Sequence, residues 1–162
     1  MLYDIHLGTY ILLAIIVFVI VFNIVCLLVH FPWKKLNSSQ MQNMIDFGLL
    51  HFTNSESADE IMKSHTVKYD REGAPLFLVE KNFIWFYPCY ESLEDSINMA
   101  STKVKSVRNP EVCLRLTGFE QSEADNFLFR DKDDVIVYIG DLTKKNIVKY
   151  MKKNNKWVES DS

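Results

Sequence analysis

The chain has 162 residues, of which 48% are apolar, and 18 Lys and Arg stand against 21 Asp and Glu for a formal net charge of -3. That length suits one folded domain plus an attachment, and the slight acidity argues against a general nucleic-acid binder, so no nucleic-acid partner is expected. The three cysteines, Cys26, Cys89 and Cys113, make neither a disulfide framework nor a CxxC metal pair and fit a reducing compartment.

From Tyr10 to Val29 the sequence carries no charge, and only Asn23 is clearly polar. At 1.5 Å per residue, about twenty residues cover roughly the 30 Å of a hydrocarbon core. A cleaved signal peptide fits poorly. Asp4 is the only charged side chain ahead of the run, and His30 to Lys35 offers no small-x-small site. A helix apolar on every face is also too demanding for the remaining chain to enclose. The expectation is therefore a transmembrane helix over residues 10–30, with the lipid bilayer as its partner and Tyr10 and Trp33 at the two interfaces. Lys34 and Lys35 follow the run, which places residues 1–9 outside and the domain in the cytoplasm, a single-pass protein of the cell membrane.

Residues 31–46 read as a juxtamembrane connector that starts a short helix near its end. Leu49 to Thr53 is a short strand. Ser57 with Glu60 fits a capping box, and Ala58, Ile61 and Met62 share one face of the helix that follows, ending near Ser64. Pro75 to Glu80 and Phe83 to Tyr87 read as two aromatic strands joined at Lys81-Asn82, with Pro88 breaking the second. Ser92 to Met99 is helical. Val112, Leu114 and Leu116 alternate with Cys113, Arg115 and Thr117 as in a half-buried strand. Phe119 to Arg130 reads as a turn or short helix. Val135 to Ile139 is β-branched and closed by Gly140, the clearest strand of the chain. Leu142 to Lys153 reads as a closing helix, and 153–162 as a tail. Lysines 144, 145, 149, 152, 153 and 156 make this end basic, which reads as a solvated helix face. The sum is an α+β domain over 47–152, with a small mixed or antiparallel sheet and short helices.

No GxxxxGK[ST], GxGxxG, HExxH or GxSxG stretch occurs, and the four histidines form no cluster with cysteines, so no metal site is expected. Leu49-Leu50-His51-Phe52-Thr53, with Ala58, Ile61 and Ser64 behind it, resembles the opening of ADP-ribosyltransferase-like domains of the His–Tyr–acid class. Phe83-Ile84-Trp85-Phe86-Tyr87 resembles their aromatic second motif, with Trp85 where tyrosine is usual. Asp133-Asp134-Val135-Ile136 resembles the acidic third motif, with aspartate in place of the commoner glutamate. The resemblance covers most of residues 48 to 142. It implies NAD as cofactor, with His51 and Thr53 near the ribose, Trp85 or Tyr87 as a platform for nicotinamide, and Asp134 stabilising positive charge on the sugar. His51 and Asp134 are thus the candidate catalytic residues. Two functions follow: a non-catalytic binding, immunity or regulatory factor that captures a protein partner at the membrane, or an active mono-ADP-ribosyltransferase.

Overall fold

In the computed structural model of the chain, the residues described are Tyr10, 12–22, Ile24, 33–68, 83–104 and 110–160. They fall into two compact units, Met1–Trp33 and Lys34–Ser162. In the first unit Tyr10, 12–22 and Ile24 are helical, with the Phe18 and Phe22 rings stacked at 6.1 Å.

The span expected over 10–30 is corrected. The longest unbroken described stretch of this helix is 12–22. Among the described residues no helix is long and apolar enough to cross a membrane. The single-pass membrane location, its orientation and the interfacial roles of Tyr10 and Trp33 lose their basis with it. Asn23, Cys26 and 25–32 lie outside the described residues.

The second unit is α+β, as expected, but its sheet is larger. Among the described residues ten strands occur in chain order: β1 (Lys34–Lys35), β2 (Leu49–Thr53), β3 (Thr66–Val67), β4 (Phe83–Pro88), β5 (Val112–Thr117), β6 (Phe127–Arg130), β7 (Val135–Ile139), β8 (Leu142–Thr143), β9 (Asn146–Lys153) and β10 (Lys156–Glu159). Eight of them form one sheet in the order β1-β6-β7-β4-β2-β5-β9-β10, and β3 with β8 forms a second. Every pairing is antiparallel. The described residues also form α1 (Ser38–Phe47), α2 (Ser55–Ser64) and α3 (Leu93–Lys103).

The helices start where short polar side chains satisfy orphan amides. Asn37 and Gln40 form a reciprocal capping box on α1. Asn54, not Ser57, caps α2, accepting from the Ser57 amide at 2.7 Å. Ser92 caps α3. Gly48 ends α1 at φ 87° and lies against the Leu116 carbonyl of β5, so a Cβ would collide with backbone there.

Strand periodicity sorts the side chains onto two faces. Leu49, Ile84, Phe86, Val112, Leu114, Leu116, Ile136, Phe127 and Phe129 share one face, which α1 covers with Met41 and Met44 and α2 with Ala58 and Ile61. Fully burying such a side chain stabilises the fold by about 2 kcal/mol. Leu50, Phe52, Tyr87, Cys113 and Tyr150 are buried on the other face, where α3 packs against β2 with Ile97 and Ala100 buried.

Two further expectations are corrected. Leu142 to Lys153 is β8 and β9 rather than a helix, and the tail continues as β10. The β9–β10 hairpin turns on Asn154 and Asn155, at φ 50° and 62°, the left-handed pair that a two-residue turn demands. Phe119 to Arg130 contains a 3-10 helix, Gln121–Asn126, and then β6. The strand expected over Pro75 to Glu80 and its turn at Lys81-Asn82 lie outside the described residues. Phe83 pairs with Ile139 of β7.

Candidate functional site

The three motif strands are neighbours in the order β7, β4, β2. Their side chains nevertheless diverge. His51 stands opposite Leu114 of β5 and against Phe86, ring centroids 5.5 Å apart, on the face covered by α1 and α2. Its Nδ1 lies 3.0 Å from the Trp85 carbonyl. A carbonyl only accepts, so Nδ1 carries the proton and Nε2 keeps its lone pair. Burial lowers the His51 pKa below the ordinary 6.5, partly opposed by that hydrogen bond. The imidazole is therefore neutral at pH 7. Thr53, two residues on, is buried on the same face.

Trp85 and Tyr87 point to the opposite face. Leu50 opposite Tyr87 and Val137 opposite Trp85 fix that side. Arg130 lies over the Trp85 ring at 5.3 Å and pairs with Asp133 at 2.9 Å. Tyr87 packs edge-on to Phe52 at 5.8 Å, and burial first, then the Asp133 charge, pushes its pKa up. The two rings are thus held among β-strand neighbours, away from His51.

Asp134 closes the turn between β6 and β7 at φ 51°, a left-handed position that Asp tolerates better than most residues. Its carboxylate receives the Tyr90 hydroxyl at 3.2 and 3.3 Å and the Lys103 ammonium, from the end of α3, at 3.3 Å. Burial first, and then the Asp134 charge, pushes the Tyr90 pKa up to about 12. Asp134 also lines a cleft of about 230 Å³ with Ser39, Gln40, Asn43, Pro88, Tyr90, Phe129 and Ile136. The structure brings Asp134 to this cleft, and His51, Thr53, Trp85 and Tyr87 do not line it.

Tyr90 and Lys103 carry no motif and escape sequence reading, because their contacts with Asp134 are set by the fold. Residue 90 meets residue 134 across 44 positions, and residue 103 meets it across 31. Cys89 and Cys113 are free and buried, with burial pushing both thiols up and so keeping them protonated. Among the described residues no group of three or more His, Cys, Asp or Glu side chains gathers to hold a metal ion. No family model, no curated protein and no solved structure matches the chain.

Proposed function

We propose that this chain is a binding protein on an ADP-ribosyltransferase-like framework, a regulatory or immunity factor that captures a protein partner without turning over NAD. One observation carries the reading. The residues that nicotinamide–ribose cleavage would need together are spread over both faces and one end of the sheet: His51 on one face, Trp85 and Tyr87 on the other, Asp134 tied to Tyr90 and Lys103. An oxocarbenium-like state is stabilised only by a carboxylate and a ring platform aimed at one sugar. A cleft of about 230 Å³ is also smaller than the ~300–1,000 Å³ typical of small-molecule sites. It suits a single protruding side chain.

The enzymatic reading keeps one specific observation. His51 presents an Nε2 lone pair, with the other nitrogen fixed on Trp85, the state that accepts a hydrogen bond from a ligand hydroxyl. Full-length protein incubated with millimolar NAD separates the two readings by nicotinamide release. The binding reading expects release no faster than in buffer. Release that His51→Ala and Asp134→Asn both abolish would overturn it.

A further inference from the structure

We infer that the cleft between α1 and the ends of β4, β6 and β7 receives the guanidinium of an arginine side chain from a partner protein. This rests on the binding reading above and names the chemistry of its site.

The polar groups around the cleft are biased toward acceptors. Asn43 uses Nδ2 to donate to the Cys89 carbonyl at 2.7 Å, which leaves its amide oxygen as an acceptor. The Tyr90 hydroxyl spends its one proton on Asp134 and retains lone pairs. Ser39 adds an exposed hydroxyl. Gln40 offers a donor, since its carbonyl oxygen already accepts from the Asn37 amide, and the Ser39 hydroxyl can donate as well as accept. Among the described residues the side-chain contacts of Asp134 are long, 3.2 to 3.3 Å, whereas a charge-assisted bond to a carboxylate closes to about 2.7–2.9 Å. The carboxylate is therefore engaged loosely and has acceptor capacity left.

A planar, five-donor cation answers this arrangement better than a lysine ammonium, because it reaches a carboxylate and a neighbouring amide oxygen at once. Beneath the polar rim, Pro88, Phe129 and Ile136 give an apolar wall for the methylene stem. Lys103 is the competing cation. Its ion pair with Asp134 is about a third exposed on the lysine side, and a pair this open to water is readily exchanged. The cleft volume holds one such side chain, not a dinucleotide.

The test titrates full-length, isotope-labelled protein with N-acetyl-arginine amide and follows the Asn43 side-chain and Tyr90 amide resonances. Saturable shifts in the range of about 1 mM are expected. N-acetyl-citrulline amide, the neutral isostere, should shift them little. Asp134→Asn should weaken the arginine response by ~10-fold, the loss of a charge-assisted acceptor. Lys103→Met, a substitution in the last turn of α3, should tighten it by removing the competitor. The inference is overturned if the arginine probe gives no shifts, if citrulline matches arginine, or if Lys103→Met weakens binding. Any of these with no nicotinamide release removes this inference alone; nicotinamide release removes the binding reading instead.

Discussion

The fold disfavours the protonated form of His51. Its folded pKa lies below the ordinary 6.5, because enclosure disfavours the charged ring. In the unfolded chain the ring takes a proton near pH 6.5, so below that pH the unfolded state binds more protons than the folded one. Stability linked to His51 is thus complete above pH 6.5 and is lost as pH falls toward the depressed folded value. Denaturant unfolding at pH 7.5 and 5.5 should show a drop in wild type that His51→Gln largely removes; an equal drop in the variant would place the acid sensitivity elsewhere. The histidine itself stood out in the sequence through the motif that Leu49-Leu50-His51-Phe52-Thr53 resembles. Its carbonyl partner was not, because backbone acceptors carry no residue signature. Asp134 was visible as an acid ahead of a β-branched run, while Tyr90 and Lys103 became its neighbours only through folding.

At the scale of elements, capping decides where helices begin. Ser57 and Glu60 satisfy the capping-box pattern by spelling, yet Asn54 makes the bond. Asn54→Ala should cost about 1 kcal/mol of stability, and Ser57→Ala less than about 0.5 kcal/mol, both read from chemical denaturation. Equal losses would return the cap to Ser57. The β-branched stretch Val135–Ile139 declared itself because its side chains prefer a pleated backbone. The stretch from Leu142 did not. Its strand alternation puts Ile147, Lys149 and Met151 on the core face, and a buried lysine there breaks the apolar pattern a reader looks for. Lys149 is admitted by its 2.5 Å ion pair with Asp59 of α2, a helix some 90 positions away. Lys144 is a second case, enclosed by Glu123, the Gly118 carbonyl and the Phe119 ring.

At the scale of the whole unit, antiparallel pairing joins residues from opposite ends of the sequence. Lys34 stands opposite Phe129, and β10 extends the sheet beyond β9. The final hairpin is part of the sheet, not an appendage. The Trp157 ring packs edge-on to Phe52 of β2 at 5.8 Å. Ending the chain after Lys153 should therefore destabilise the unit by about 2 kcal/mol or more, since a large ring is removed from a packed face. A thermal melt that leaves the midpoint unchanged would show that β10 only decorates the edge. The bond from the His51 imidazole to the Trp85 carbonyl has a consequence at this scale too. Side chains alternate along a strand, so sliding β4 by a single position would send Trp85 and Tyr87 inward and Ile84 and Phe86 outward. The same slide would strip the imidazole of its acceptor. One ring thus gauges the alignment of the two middle strands, and the chain carries its own check against threading them out of step.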